Sequence, residues 1–312
     1  MESKYRISVL IPCHSTNFLT ESIASIQRQT LNKSLFEVVI VADRVDEAEL
    51  IKIVEQSQIS FRIVSSSNPG IVSALNLGVS SISSEFIARM DEDDVMYPNR
   101  LEIQLAHLEK NANCVAVGGQ LELMNEFGFE IGTAKFARIV GKSSKDLFDS
   151  SPIAHPAAMV RTGSIRKIGG YRSFLPEDWD LWVRLQEIGE LHNLSKKVLR
   201  YRIHGNQLSR EKMYAKSRAR LIVGTSHFAR QAGLIDAPDK VPETEIWVTE
   251  ISDILNETSH PFRTFIKWTE KLDSYQGAYN TFAREKRIKL AIELFVSYPL
   301  WFFRDILKKV FN

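Results

Sequence analysis

Short apolar runs alternate with amphipathic stretches through the first 125 residues of the chain. The runs are rich in Val, Ile and Phe, whereas the stretches between them repeat apolar residues at helical spacing. The pattern predicts strands at 7–12, 36–43, 61–66, 85–90 and 114–125, and helices at 19–30, 46–57, 70–82 and 100–111. Strands separated by helices of about a dozen residues form parallel sheets with helices on both faces. We therefore expect an α/β fold with a Rossmann-like, mostly parallel sheet flanked by helices.

The second half of the chain has a different pattern. Residues 126–176 are irregular and carry several Gly and Pro residues, after which a helix is predicted at 176–189 and a strand at 193–204. Beyond about residue 210 the pattern is helical to the end. We therefore predict two domains, a sheet domain over 1–210 and a helical C-terminal extension over 211–312.

Polar side chains follow three of the predicted strands. Four consecutive acids, Asp91 to Asp94, follow the strand at 85–90, while Asp43 ends the second strand and His14 follows the first. In open parallel sheets, ligands bind at the edge where the carboxyl ends of the strands lie. These side chains are therefore predicted to line a binding site.

The acidic run at 91–94 has two interpretations, because an acidic turn is often simply solvated. The run directly follows an apolar strand, and no lysine lies nearby in the sequence to balance its charge. Mg²⁺ and Mn²⁺ neutralise such clusters through oxygen ligands. In this second interpretation Asp93 binds the metal, and Asp91 holds a ribose or a metal-bound water. Glu92 then points to the other side of the chain, and Asp94 supports the loop.

Composition argues against several classes of protein. The formal net charge is +2, from 40 basic and 38 acidic residues, which argues against a nucleic-acid partner. Cys13 and Cys114 lie in apolar contexts and predict a reducing compartment without disulfides. The amino end has too few apolar residues for a secretion signal, and no apolar run is long enough to span a membrane. We expect a cytoplasmic protein, with peripheral contact to the inner face of the cell membrane left open.

The segment 284–312 is basic and strongly apolar. From residue 279 to the end there are seven basic and three acidic residues, and Trp301 and Phe302 are among the aromatic ones. Pro299 should divide the segment into two helices. Helices of this composition suit the surface of an anionic membrane. The alternative is packing on the sheet domain or on a second copy in a homo-oligomer.

Five segments resemble, in order and spacing, the successive motifs of the family 2 glycosyltransferases. They are "ISVLIPCHS", "VVIVADRVDE", "NPGIVSALNLGVSSISSEFIARMDEDDVMYPNRLEIQ", "HPAAMVRTGSIRKIGGYRSFLPEDWDLWVRL" and "YRIHGNQLS". The resemblance covers about residues 5–210. It implies an inverting enzyme with the glycosyltransferase type A fold that builds a bacterial surface glycan such as lipopolysaccharide or capsule. It also implies a nucleotide-sugar donor, expected to be a UDP-sugar, and a glycan or lipid-linked acceptor.

The same resemblance implies roles for individual residues. Asp91 and Asp93 match the family's Asp-X-Asp motif and, with His204, would hold Mn²⁺ or Mg²⁺. In "PEDWD", Asp178 matches the catalytic base and Glu177 its acidic neighbour, with helix capping as the alternative role of this pair. The donor nucleotide is expected to contact Pro12, His14, Asp43, Asn68, Gly70 and Asp91.

Further expectations concern the surroundings of Asp178. The dipole at the amino end of its helix should keep this carboxylate ionised. Trp179 is predicted to form a floor for the acceptor sugar and Trp182 to lie in the core. His155 is expected to have a structural role beside Pro156, with contact to the acceptor as the alternative. No role in the site is predicted for His107, His192, His227 and His260.

Two other functions stay open on the sequence alone. A sugar nucleotidyltransferase also uses paired carboxylates, but it needs a phosphate loop rich in Gly and Lys, and "PCHSTNFLTES" contains neither. A non-catalytic sugar-nucleotide-binding protein would have lost its carboxylates, yet Asp91, Asp93 and Asp178 are present. We therefore expect a metal-dependent glycosyltransferase.

Overall fold

The computed structural model describes residues 4–141, 147–148, 150–173, 177–204, 213–234, 236, 243–259, 261–267 and 269. The chain forms two compact units. The first is Met1–Lys212 with Ala237–Glu245, and the second is Met213–Asp236 with Ile246–Asn312.

Strands and helices alternate in the first unit as the apolar pattern predicts. The strands are β1 (Ile7–Cys13), β2 (Phe36–Ala42), β3 (Phe61–Ser65), β4 (Phe86–Arg89), β5 (Val95–Met96), β6 (Cys114–Asn125), β7 (Glu130–Ala134), β8 (Met159–Arg161) and β9 (Glu190–Ile203). The helices of the first unit are α1 (Leu19–Gln27), α2 (Glu47–Val54), α3 (Ile71–Ser81), α4 (Arg100–Lys110), α5 (Thr162–Lys167) and α6 (Glu177–Ile188). In the second unit lies α7 (Met213–Gln231), and α8 (Glu243–Thr258) begins in the first unit and continues into the second.

The described strands form one sheet in the order β3-β2-β1-β4-β8-β6-β9-β5, with β7 added to β6. The pairs β3-β2, β2-β1, β1-β4 and β6-β9 are parallel, whereas β8 is antiparallel to both of its neighbours. Every residue of β1 and β2 is buried, as expected when helices cover both faces of a sheet. The prediction of a mostly parallel sheet flanked by helices is confirmed.

The register of the parallel strands brings three polar segments to one edge of the sheet. Cys13, the last residue of β1, lies opposite Ala42, the last residue of β2. His14 and Asp43, the next residues of these two strands, therefore leave the sheet side by side. β4 pairs with β1 on its other side, so the acidic run that follows β4 comes to the same edge.

The irregular region at 126–176 contains two strands that the apolar pattern does not predict. β8 has only three residues, yet it joins β4 to β6 and so connects the two parallel halves of the sheet. β7 is largely exposed and pairs with the end of β6. A strand of three residues is too short to show an alternation of apolar and polar positions.

Arg100, the first residue of α4, is fully buried and holds three chain segments together. Its guanidinium donates hydrogen bonds to the carbonyl oxygens of Pro156 at 2.9 Å, Arg89 at 2.7 Å and Ala158 at 3.2 Å. Burial lowers the pKa of Arg100 to about 9. The side chain therefore fixes the end of β4, and with it the start of the acidic run.

Replacing Arg100 by Ala is expected to lower the free energy of unfolding by about 3 kcal/mol or more, because buried carbonyl groups would lose their donors. Urea denaturation followed by circular dichroism would measure the loss. Arg28→Ala is the control, since Arg28 is exposed at the end of α1 and its loss should cost less than about 0.5 kcal/mol. Equal stability of the two variants would contradict this role of Arg100.

The second unit is helical where the structure describes it. α7 carries Phe228, whose ring lies 5.6 Å from that of Phe262 and 5.4 Å from that of Phe265, centroid to centroid. These rings form an aromatic core of their own. Among the helices that the structure describes, none combines the length and apolarity needed to cross a membrane. The basic, apolar segment 284–312 lies outside the described residues.

Candidate active site

The acidic run brings three carboxylates together. One oxygen each of Asp91, Asp93 and Asp94 lies within 4.8 Å of the other two. Asp94 is fully buried, and its Oδ2 has no hydrogen-bond partner among the described residues. Burial and the charges of Asp91 and Asp93 raise the pKa of Asp94 well above its ordinary value. This geometry fits an oxygen-ligand site for a divalent cation, which would relieve the repulsion.

The end of β9 is attached to this run. Asp94 Oδ1 accepts a hydrogen bond from the backbone N–H of Arg202 at 2.9 Å, and the Arg202 Nε donates to the carbonyl oxygen of Asp93 at 2.8 Å. His204, two residues further on, places its Nε2 2.7 Å from Asp93 Oδ2. The structure thus brings together the three residues predicted to hold a metal, Asp91, Asp93 and His204.

The acidic run has a basic partner that the sequence reasoning missed. Arg89, the last residue of β4, is buried, and its Nη2 lies 2.5 Å from Asp91 Oδ1. Burial raises the pKa of Asp91 to about 6, and the positive charge of Arg89 opposes that rise. The expectation that the run lacks a counter-charge is therefore wrong for Asp91. Residues two apart on an extended chain point to the same side, which could have revealed the pair.

Glu92 does not point away from the site. Its Oε1 lies 2.6 Å from Nδ1 of His14, a residue predicted to contact the donor. The hydrogen bond that Glu92 accepts from His14 is the main cause of the raised pKa of His14, and the charges of Asp93 and Asp43 add to it. The ends of β1 and β4 are thereby linked through a side-chain pair. The expectation for Glu92 is corrected accordingly.

Asp43 and Gly70 meet beside this edge, as expected for residues of one binding site. The backbone N–H of Gly70 donates to Asp43 Oδ2 at 2.9 Å, and Arg44 Nε donates to Asp43 Oδ1 at 3.1 Å. Gly70 has a φ of +112°, a conformation that favours glycine at this turn before α3. Pro12 is buried within β1, whereas Asn68 is exposed in the turn. Asp43 and Gly70 are therefore held together by a hydrogen bond at the predicted donor site.

A second pair of carboxylates opens α6. Asp178 Oδ2 accepts a hydrogen bond from the hydroxyl of Ser151 at 3.0 Å. Burial raises the pKa of Asp178, although Ser151 and nearby backbone N–H groups oppose the rise. Burial also raises the pKa of Glu177 to about 7, and the charge of Asp178 adds to it. Desolvation is the largest effect on the pKa of Asp178, and the backbone N–H groups at the start of the helix favour the ionised form, as expected.

Glu177 belongs to a buried polar cluster with His155 and Tyr171. His155 Nδ1 lies 3.7 Å from Glu177 Oε1, and its Nε2 lies 2.9 Å from the hydroxyl of Tyr171. Burial and the charge of Arg89 lower the pKa of His155 well below its ordinary value, so the imidazole is neutral. Asn76 positions Tyr171 by bonding both its backbone N–H and its carbonyl oxygen at 2.8 Å.

Trp179 cannot form the floor of a sugar site. Its side chain is 2% exposed, and its indole N–H donates to the carbonyl oxygen of Leu147 at 2.5 Å. Trp182 is fully buried in the core, as expected, with its ring 5.9 Å from that of His155. Both tryptophans of α6 therefore pack inward and fix the helix that presents Asp178.

Arg89 interacts electrostatically with the acidic run and with the carboxylate pair at the start of α6. Its guanidinium contacts Asp91, and its positive charge lowers the pKa of Glu177 and of Asp178, in opposition to burial. The two carboxylate clusters therefore surround one buried cation. One cluster fits a divalent ion, and the other contains Glu177, whose pKa of about 7 lets it take up a proton near neutral pH.

Replacing Glu177 by Gln is expected to stabilise the protein at pH 8 but not at pH 4. The pKa of Glu177 is about 7 in the fold and about 4.5 without burial, so the folded state holds an extra proton between these values. Stability from this group is thus greatest below pH 4.5 and falls as the pH rises to about 7. Urea unfolding of both proteins across this range would measure it. Glu250→Gln, at an exposed position of α8, is the control and should leave the stability almost unchanged. Parallel curves for the wild type and Glu177→Gln would refute the assignment.

Comparison with known proteins identifies the family. The family model described as glycosyl transferase family 2 matches residues 8–169, more than half of the chain. The chain belongs to this family. The resemblance seen in the motifs is thereby confirmed, and the protein is a glycosyltransferase. Membership of this family sets aside the nucleotidyltransferase alternative.

Curated relatives cover the same part of the chain. The O-antigen biosynthesis glycosyltransferase WbnJ of Escherichia coli is 36% identical over 206 residues, which are 64% of this chain and 80% of WbnJ. The UDP-Gal:alpha-D-GlcNAc-diphosphoundecaprenol beta-1,3-galactosyltransferase of Escherichia coli is 29% identical over 189 residues. That match is 57% of this chain and 67% of the relative.

Solved structures share the fold. The structure of S. aureus TarS 1–349 in complex with UDP-GlcNAc superimposes with a TM-score of 0.57 at 16% identity, covering 83% of this chain and 73% of TarS. The mannosyltransferase PcManGT from Pyrobaculum calidifontis, in complex with GDP-Man and Mn²⁺, gives 0.54 at 13% identity, covering 99% and 85%. The fold of this family 2 glycosyltransferase is therefore the glycosyltransferase type A fold, as predicted.

Proposed function

We propose that this family 2 enzyme moves a sugar, with inversion, from a UDP-sugar to a hydroxyl group of a glycan or lipid-linked acceptor in cell-surface polysaccharide synthesis. The observation that carries the proposal is the pair of carboxylate clusters around Arg89 at the carboxyl edge of the sheet. The O-antigen function of WbnJ and the acceptor of the diphosphoundecaprenol galactosyltransferase support the surface-glycan assignment. The TarS complex supports a uridine nucleotide as donor.

The acidic run is the proposed metal site. Asp91, Asp93 and His204 would hold Mn²⁺ or Mg²⁺, and the orphaned, buried Oδ2 of Asp94 adds to the demand for a cation. When bound, the ion supplies positive charge to the departing diphosphate, an effect worth several kcal/mol. Asp93 contributes the carboxylate, and its contact with His204 keeps that oxygen in place. The Mn²⁺ complex of PcManGT supports this assignment.

The donor nucleotide is proposed to lie along the ends of β1 and β2. Asp43 is held by the backbone N–H of Gly70 and would pair with the base. His14, whose pKa Glu92 raises, would lie near the ribose and phosphates. Pro12 and Asn68 would lie at the margins of this site. Each of these assignments rests on position at the carboxyl edge of the sheet.

Asp178 is proposed to deprotonate the acceptor hydroxyl. A carboxylate within hydrogen-bond reach of an attacking hydroxyl typically contributes about 10²–10⁴-fold to the rate. Its raised pKa favours proton uptake, and the Ser151 hydroxyl fixes its orientation. Glu177, with a pKa of about 7, would share the proton. A single base opposite the leaving group gives direct displacement and therefore inversion.

The proposed partners are an anionic membrane surface and a second copy of the chain. The segment 284–312 would rest on an anionic membrane surface and bring the enzyme to a lipid-linked acceptor. That segment lies outside the described residues, so the membrane contact stays a prediction. A homo-oligomer likewise stays a prediction, and no nucleic-acid partner is expected.

Titration of UDP by calorimetry, with and without Mn²⁺, would test the donor and metal assignments together. Tighter binding of UDP in the presence of Mn²⁺ is expected. Release of nucleotide from UDP-, GDP- and dTDP-sugars would then identify the donor, with the UDP-sugars expected to react. Binding of UDP that ignores the metal, or turnover of GDP-sugars alone, would overturn the corresponding assignment.

A further inference from the structure

Two histidines and a cysteine converge at the edge of the sheet opposite the acidic run. His107 lies near the carboxyl end of α4, Cys114 opens β6, and His192 lies near the start of β9. A ring nitrogen of each histidine and the cysteine sulfur all lie within 4.8 Å of one another. β6 runs parallel to β4, because β8 is antiparallel to both. The start of β6 is therefore at the amino edge of the sheet, away from the proposed donor site.

The two imidazoles contact each other, and the carboxylate of Glu190 holds one of them. His107 Nε2 lies 2.9 Å from His192 Nδ1, and His192 Nε2 lies 3.1 Å from Glu190 Oε2. A proton on His192 Nε2 satisfies the Glu190 carboxylate, and the lone pair of Nδ1 then faces His107 and Cys114. A carboxylate behind a histidine is the usual support of a metal-bound imidazole, because it fixes the tautomer and the ring orientation.

The sulfur and the space beside the pair complete the arrangement. Cys114 is fully buried, and its thiol donates a weak hydrogen bond to the carbonyl oxygen of Ala116 at 3.2 Å. A cavity of about 710 Å³ borders His107 and His192, and Ile103, Asn111 and Arg138 are among its lining residues. Two imidazoles and a sulfur suit Zn²⁺ and disfavour Mg²⁺, while the cavity leaves room for a water as fourth ligand.

We infer that His107, Cys114 and His192 form a second metal site that binds Zn²⁺, with Glu190 orienting His192. On binding, the thiol proton leaves to solvent and a bond forms between zinc and the Cys114 sulfur. The ion would join α4 to the first residues of β6 and β9. It uses none of the residues of the acidic run and does not depend on the proposed transfer reaction.

Cobalt is the probe that separates this site from the acidic run. The full chain, stripped with a chelator, is titrated with Co²⁺ and followed by absorption. A thiolate ligand gives an intense near-ultraviolet charge-transfer band, which the oxygen ligands of the acidic run do not give. Zn²⁺ should abolish the band, because zinc binds more tightly than cobalt to such ligands. A folded wild-type protein without the band would overturn the inference.

Variants assign the band to individual residues. Cys114→Ala is expected to abolish it, whereas Cys13→Ala, which removes the other buried thiol, should keep it. Glu190→Gln should keep the band but weaken zinc affinity by about 10- to 100-fold, as loss of a supporting partner does. If Cys114→Ala does not fold, His107→Ala replaces it and should weaken cobalt and zinc binding at least as much as Glu190→Gln. A band that persists in Cys114→Ala, or unchanged affinity in His107→Ala, would refute the site.

Discussion

Replacing Asp178 by Asn should lower the rate of sugar transfer by about 10²–10⁴-fold while leaving the affinity for UDP unchanged. The amide keeps the shape of the side chain and its hydrogen bond with Ser151, but it has no basic oxygen to accept the acceptor proton. Transfer is measured as release of UDP from the donor in the presence of acceptor, and affinity by calorimetry with UDP and Mn²⁺. A lower rate with unchanged affinity indicates a role in proton transfer. If Asp178 only capped the helix, the substitution would change the stability of the protein instead.

Two further variants complete this experiment. Glu187→Gln removes an exposed carboxylate from the same helix and should keep wild-type activity. Ser151→Ala should move the acidic limb of the pH–rate profile to higher pH, because the Ser151 hydroxyl lowers the pKa of Asp178. If Asp178→Asn retained more than about a tenth of the wild-type rate, Asp178 would not be the base.

Replacing Asp93 by Asn should make UDP binding insensitive to Mn²⁺ and lower turnover by about 100-fold or more. The expected loss follows from the several kcal/mol that a cation contributes at a departing diphosphate, where each 1.4 kcal/mol is a factor of ten. Asp93 is the carboxylate in contact with His204, so its loss also removes the partner of that imidazole. Calorimetric titration of UDP with and without Mn²⁺ measures the first effect, and UDP release measures the second.

The neighbouring acid provides the matched control. Glu92→Gln removes one negative charge from the same run, but its carboxylate contacts His14 and lies outside the group of three that could hold an ion. This variant should keep the Mn²⁺ dependence that Asp93→Asn loses. Retained Mn²⁺ dependence in Asp93→Asn would place the cation elsewhere.

The sequence predicted the first half of the fold well because its signals are local. The run at 7–12 is buried on both faces, and its observed strand, Ile7–Cys13, differs by one residue. The helix predicted at 100–111 is observed at Arg100–Lys110. In each case the apolar pattern lies within a single strand or helix and matches the face or faces that this element buries. The site residues at the ends of these strands followed from the same logic.

The errors arise where a partner distant in sequence decides the outcome. β8 connects the two parallel halves of the sheet by pairing with β4 and β6. Its three residues are too few to predict either pairing from the sequence. Trp179 of α6 was expected to form a floor for the acceptor sugar because aromatic faces suit sugar rings. Its burial depends on Leu147, a hydrogen-bond partner 32 residues away in the sequence.

The hydrogen bonds that hold Arg202 to Asp93 and Asp94 have a kinetic consequence. They hold the end of β9, which His204 follows, against the acidic run in the absence of a metal ion. Binding of the ion therefore requires little ordering of the chain. Capture of Mn²⁺ should then be a single exponential in a stopped-flow experiment, with a rate constant that rises linearly with concentration. A plateau would instead reveal a slow closing step.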